Sequence, residues 1–175
     1  ALADGVDVVV NDAALLKVLA NESVSSIAGA GIVNLAAGTL TLAGSLSTSL
    51  TGTVSGSGAL LKTGSSIFTL SGANTFAGGV VLSGGAIRLG NDAALGLGTL
   101  SFTSGALSSD SVNDRLIPNS ILLGGDLVVG GTTDSGKLTL SGMMSLSGDR
   151  AVTFLSEVEI AGSIVGSAGF TKSGQ

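Results

Sequence analysis

Ile67-Phe68-Thr69-Leu70-Ser71-Gly72 contains the pattern on which the whole chain is built. Apolar residues stand two apart, hydroxyl residues fall between them, and a glycine closes the run. Strand side chains alternate between two faces, so this spacing sends Phe68 and Leu70 one way and Thr69 the other. The pattern returns as Thr39-Leu40-Thr41-Leu42-Ala43-Gly44, Ala86-Ile87-Arg88-Leu89-Gly90 and Thr99-Leu100-Ser101-Phe102. It returns again as Asp126-Leu127-Val128-Val129-Gly130 and Lys137-Leu138-Thr139-Leu140-Ser141-Gly142. Glycine reaches turn conformations that a Cβ makes costly. The chain therefore reads as all-β, with many short strands. Asn11 to Asn21 stays open: a short helix capped by Asn11 or Asp12 fits about as well as a strand leading into Ser23-Val24-Ser25.

Composition narrows the class. Of 175 residues, 44% are hydrophobic and 11% charged, which supports a buried core and not a disordered chain. A net charge of −5, with seven scattered Lys and Arg, argues against nucleic acid as a partner. Five Phe without Trp or Tyr leave few stacking platforms for bases or sugars. No apolar run approaches the ~18 residues of a membrane helix, and the aromatic girdles of a membrane barrel are missing. Cysteine is absent, which excludes disulfides, zinc–thiolate sites and Cys nucleophiles. The same absence suits a chain that crosses an oxidising compartment unfolded. The sequence begins at Ala1 and reads as a piece of something longer, with any targeting signal expected outside it.

Longer repetition decides the architecture. Gly56-Ser57-Gly58-Ala59-Leu60-Leu61-Lys62-Thr63-Gly64-Ser65 returns as Gly166-Ser167-Ala168-Gly169-Phe170-Thr171-Lys172-Ser173-Gly174-Gln175, matching Lys62 with Lys172. Gly38 to Gly44 likewise parallels Gly136 to Gly142. Such self-similarity marks a solenoid whose units bury their apolar faces by stacking. An antiparallel sandwich would need hairpin dipeptides, and Asp4-Gly5 is the only one. The expected fold is a right-handed parallel β-helix (a β-solenoid), one elongated domain over residues 1–175. At roughly 20–30 residues per coil it holds about six to eight coils, each burying about four aliphatic side chains.

Residues 58–102 closely resemble the autotransporter-associated β-strand repeat, also called the passenger-associated transport repeat. The match runs through Leu60-x-Lys62-Thr63-Gly64, then Phe68-Thr69-Leu70-Ser71-Gly72-Ala73-Asn74-Thr75-Phe76-x-Gly78-Gly79, then Leu82-x-x-Gly85-Ala86-Ile87-x-Leu89. Ala93-Ala94-Leu95-Gly96-x-Gly98-Thr99-Leu100 continues it, and residues 166–175 begin the next copy. Ser66 stands where the family usually has glycine, Val80 and Val81 replace typical threonines, and Phe76 replaces the common tyrosine. The resemblance implies a passenger β-helix exported through a C-terminal outer-membrane β-barrel of the same polypeptide. It places the segment at the cell surface of a Gram-negative bacterium, or secreted by one, as a product of type V secretion. The repeat itself is implied to support folding and translocation.

Within the motif, Phe68 and Leu70, Val80 and Leu82, and Ile87 and Leu89 read as three pairs, one for each strand of a single coil. Gly72, Gly78-Gly79 and Gly84-Gly85 read as the turns between them. Asn74 reads as a turn residue bonding local backbone or an Asn of the next coil. Lys62 reads as a solvated lysine that blunts a strand edge.

No His or Cys is present, so catalytic candidates reduce to carboxylates, Lys, Arg and Ser. The densest polar cluster is Asp110-Ser111-Val112-Asn113-Asp114-Arg115, read as part of a long solvated loop over 108–120. Asp149-Arg150 reads as a turn with a local ion pair, and Glu157 and Glu159 as sharing the solvent face of one strand. Gly56 to Thr63 fails as a phosphate loop, because Leu61 precedes Lys62 and no helix follows. Gly124-Gly125-x-Leu127 lacks the continuation of a calcium repeat. No catalytic, cofactor or metal residue is therefore assigned. The expected function is structural, with neighbouring coils and the barrel as partners. Three rivals stand beside it: an adhesin contacting a host receptor or glycan through loop 108–120, with Leu116 and Ile117 as its apolar contacts; a β-helical polysaccharide-degrading enzyme; and an ice-binding solenoid built on Thr39-x-Thr41 and Thr51-x-Thr53.

Overall fold

The computed structural model describes residues 2–175 as strands, turns and short corners, with no helix among them. All the strand pairs are parallel, and the chain winds through about eight coils of a β-solenoid. Register partners lie one coil apart, from 17 residues between Leu15 and Ile32 to 25 between Val129 and Phe154. A coil thus sits at the short end of the expected length.

Each full coil passes three walls in a fixed order. Wall I begins with β1 (Asp7–Val10), wall II with β2 (Leu15–Val18) and wall III with β3 (Glu22–Val24). The next coil repeats the order as β4 (Ser26–Gly29), β5 (Ile32–Leu35) and β6 (Thr39–Leu42). The third does so as β7 (Thr48–Leu50), β8 (Val54–Gly56) and β9 (Ala59–Lys62). In β2 the alternation leaves Val18 buried and Leu15 exposed, and this settles the ambiguous stretch as a strand. A turn closed by the Ala14 N–H donating to the Asn11 carbonyl, with Ala13 at φ 61°, stops any helix from starting there.

The repeat region departs from this plan. After β10 (Ile67–Leu70) on wall I, residues 71–79 cross wall II without forming a strand. β11 (Val80–Leu89) then runs along wall III, bends at Gly84-Gly85 and continues along wall I. β12 (Leu100–Ser109) does the same one coil later, with irregular register at the bend. Val80–Leu82 and Ile87–Leu89 are therefore two ends of one strand. Phe68 and Leu70 pair with Ile87 and Leu89 of the following coil. The expectation of one coil with three strands is corrected: the motif spans about one and a half coils, because Gly84-Gly85 makes a bend and not a break.

Three walls resume with β13 (Arg115–Ile117), β14 (Ile121–Leu123), β15 (Leu127–Val129), β16 (Leu138–Leu140), β17 (Met144–Leu146), β18 (Arg150–Phe154), β19 (Val158–Ile160), β20 (Ile164–Val165) and β21 (Phe170–Gly174). Wall II is consequently two separate three-stranded sheets, β2-β5-β8 and β13-β16-β19. Walls I and III join into one sheet of 15 strands through β11 and β12.

Inward positions form columns. On wall III, Leu40, Leu60, Val80, Leu100, Ile121 and Met144 follow one another in register. On wall I, Phe68, Ile87, Leu107, Val129 and Phe154 do the same. Burial of such columns is the main favourable contribution to stacking. The corner between walls II and III is a staircase of glycines, where a Cβ on Gly58 would meet Gly38 O at 2.6 Å. One on Gly78 would meet Gly58 O at 2.5 Å, and one on Gly98 would meet the Gly79 nitrogen at 2.3 Å. Backbone lies on backbone there, so the close approach itself demands glycine.

Candidate functional site

Three buried polar side chains, Lys62, Ser66 and Asn74, lie in the repeat. β9 ends in Lys62, whose register partners are Leu42 in the coil before and Leu82 in the coil after. Alternation from Leu60 points it inward, and it is 0% exposed. The expectation of a solvated edge lysine is therefore overturned. Its parity with Leu60 was the available signal; a lysine's charge made the opposite reading easy.

The Lys62 ammonium donates to the Gly64 carbonyl at the corner between walls III and I. Gly85 passes directly over this corner with φ 64°; a Cβ on it would stand 2.3 Å from Ser66 O and 2.9 Å from Lys62 Nζ. Burial pushes the Lys62 pKa below the usual lysine range. The ammonium is committed to the Gly64 carbonyl and is closed off from solvent.

Across the core, Asn74 occupies the place where wall II lacks a strand. It is 1% exposed, accepts from the Val54 N–H at 2.7 Å and donates to the Ala94 carbonyl at 2.7 Å. One amide thus ties together the backbones of the coils before and after it. The expected local or Asn–Asn bonding is corrected, since the next coil offers Ala94. Phe76, fully buried, fills the space behind.

The acidic cluster is not a long loop. Ser108 and Ser109 belong to β12, only residues 110–114 lie between strands, and Arg115–Ile117 is β13 on wall II. Arg115 pairs with Asp110 at 2.9 Å and donates through Nε to the Leu89 carbonyl at 2.9 Å. Asp114 accepts from the Lys137 N–H at 2.9 Å. Ile117 is buried, leaving Val112 and Leu116 as the exposed apolar groups of this segment. Asn119 takes a glycine's place on the staircase and donates to the Gly96 and Gly98 carbonyls. These polar groups close corners between coils.

A longer connection than 110–114 is residues 130–137, between β15 and β16. There Asp134 reaches Arg88 of β11 at 2.6 Å. Asp149 and Arg150 form no mutual ion pair: Arg150 donates to the Asp149 backbone carbonyl, while the Asp149 carboxylate accepts from the Gly169 N–H. Short side chains meet backbone first at such a turn. Glu159 does face solvent as expected, and its bond to Lys137 at 3.2 Å holds that ammonium above the usual range. Thr41 is followed in register by Leu61, so no threonine column forms.

Two hollows open to solvent. One of about 400 Å³ lies at the C-terminal end of the core beside Phe154, Glu157, Val158 and Lys172. The other, about 250 Å³, is a shallow dip on wall I around Ser49, Thr69 and Arg88. No group of three or more His, Cys, Asp or Glu able to hold a metal occurs among the described residues.

Residues 60–89, from the strand that carries Lys62 to the end of β11, match the family model described as passenger-associated-transport-repeat. This stretch is similar to a passenger-associated transport repeat. No curated protein and no solved structure matches the chain. The repeat and the solenoid together fit an autotransporter passenger segment. Within the repeat, Asn74 bonds the coils before and after it, Lys62 bonds Gly64 at its own corner, and Gly85 passes over that corner.

Proposed function

We propose that the segment is a structural stalk of a passenger displayed at the cell surface or secreted, and that its stepwise stacking supports folding and outer-membrane translocation. The observation that carries this reading is the run of inward columns through successive coils, to which the polar side chains add corner fastenings. Each coil that forms outside the cell buries about four apolar side chains, and withdrawing it would re-expose them at ~1.5–3 kcal/mol apiece. Folding of that kind resists backsliding. The C-terminal barrel of the same polypeptide is the partner this role requires.

The segment has no catalytic role in this reading. Asp110, Asp114 and Arg115 are engaged with backbone and with each other, which speaks against a hydrolase site. An adhesin contact through 108–120 is left with Val112 on a five-residue connection and Leu116 on β13, a small surface for a receptor.

The test is surface display of the full-length protein carrying Leu70→Asp or Thr69→Asp. Leu70 is fully buried, whereas Thr69 lies on the outward face. Leu70→Asp is expected to lower surface level several-fold and Thr69→Asp to leave it unchanged. Normal export of a destabilised Leu70→Asp protein would separate folding from secretion and remove the proposed role.

A further inference from the structure

One level of wall II is held together unlike the rest. Residues 71–79 bond to the coil before them through the Thr75, Ala77 and Gly78 N–H groups, which donate to the Val54, Gly56 and Gly58 carbonyls. Residues 90–99 are tied to that stretch in turn, with the Asn74 N–H donating to Ala93 O and the Leu97 N–H to Phe76 O. On its other side β13 pairs with β16 through an ordinary ladder. Between residues 91–98 and 111–119, however, no backbone–backbone hydrogen bond forms among the described residues. This level lies just after the stretch that matches the repeat.

Side chains take the place of the ladder there. Asp92 Oδ1 accepts from the Leu116 N–H at 3.1 Å, and Arg115 Nε donates to the Leu89 carbonyl. Asn119 Nδ2 donates to the Gly96 carbonyl at 3.0 Å and the Gly98 carbonyl at 2.7 Å. Two residues after Leu116, where the next donor of the same parity would fall, stands Pro118, which has no N–H. Asn119 is itself 6% exposed, and its Oδ1 has no partner. Closing this level therefore strands a buried acceptor, a cost that opening removes by admitting water. Behind it lie the buried Ala94, Leu95 and Ile117.

We propose that residues 90–99 and 111–119 form a latch, at which wall II opens locally while the other two walls stay paired. Opening breaks the side-chain bonds of Asp92, Arg115 and Asn119 and no rung of backbone ladder. Walls I and III are held across the same level by the pairing of β12 with β14 and β15, which opening leaves intact. Regions with few backbone bonds to lose open at the low end of a protein's stability range.

The experiment uses the 175-residue chain, which contains no cysteine, so one introduced thiol reports alone. Ile117 on wall II and Leu123 on wall III belong to the same coil and are 1% and 0% exposed. Ile117→Cys is expected to react with a soluble aromatic disulfide at least about tenfold faster than Leu123→Cys, because only the first is uncovered by local opening. Adding Asp92→Ala should speed modification of Ile117→Cys and leave that of Leu123→Cys unchanged. Circular dichroism establishes that the strands persist; if Ile117→Cys loses them, Ala94→Cys on the facing rung takes its place. Equal rates at the two positions, as opening of the whole stack would give, would overturn the proposal. So would an Asp92→Ala change that speeds both alike.

Discussion

Lys62 and Leu70 are equally hidden from solvent, yet substituting them has opposite expected consequences. Leu70→Asp places a carboxylate in the column between Leu50 and Leu89 and is expected to cost roughly 3–5 kcal/mol, as an uncompensated buried charge does. Thr69→Asp points outward beside Arg88 and should cost under about 1 kcal/mol. Urea unfolding of the two variants measures the difference, and equal midpoints would mean that the inside–outside assignment of β10 is wrong. Lys62→Met removes a buried cation from an apolar column and is expected to raise stability at pH 7. The sign of its pH dependence follows from the lowered pKa: between that value and about 10.4 the unfolded chain binds more protons than the folded one. Stability of the parent should therefore rise with pH in this window. The advantage of Lys62→Met should shrink from pH 7 to pH 10, a range that stays below the one in which the raised Lys137 would lose its proton. A gap that widens with pH would contradict the burial of the charge.

At the scale of elements, the strands were legible and the corners largely were not. Alternation within Ile67–Leu70 or Leu138–Leu140 follows from the two-residue period of a strand, a local property that any sequence displays openly. Whether Gly84-Gly85 breaks a strand or bends it depends on the coil beneath, where the Thr63, Gly64 and Ser66 carbonyls lie. Sequence holds no direct record of that contact. The same reason hid the inward aim of Lys62 and the bridging role of Asn74, while the placement of Glu159 needed only parity. The region 108–120 was misjudged because its polar residues, which read as solvated, are spent on backbone groups of neighbouring coils. The glycine staircase gives a sharp test. Gly78→Ala puts a Cβ 2.5 Å from Gly58 backbone and should destabilise by about 1–3 kcal/mol. Gly124→Ala, whose nearest neighbour would be 3.3 Å away, should cost less than about 1 kcal/mol in the same thermal melt.

Across the whole molecule, repetition pointed to a solenoid and the structure has one. What repetition could not tell is that the repeat and the coil are different units: the sequence motif covers about one and a half turns of the chain. β11 and β12 are flanked by strands on both edges and knit walls I and III together. Their amides should exchange most slowly with deuterium, ahead of those in β1 and β21, which are paired along one edge alone. Faster exchange across 80–89 than in β21 would show that the repeat is not the stable centre. The missing wall II strands carry a mechanical meaning as well. Treated as a beam, this stack is continuous along two sides and seamed along the third, at the two rungs spanning residues 71–79 and 90–99. Compliance under a lateral load should concentrate at that seam and in one plane, so a long stack containing several such repeats would flex at each, as a jointed rod does.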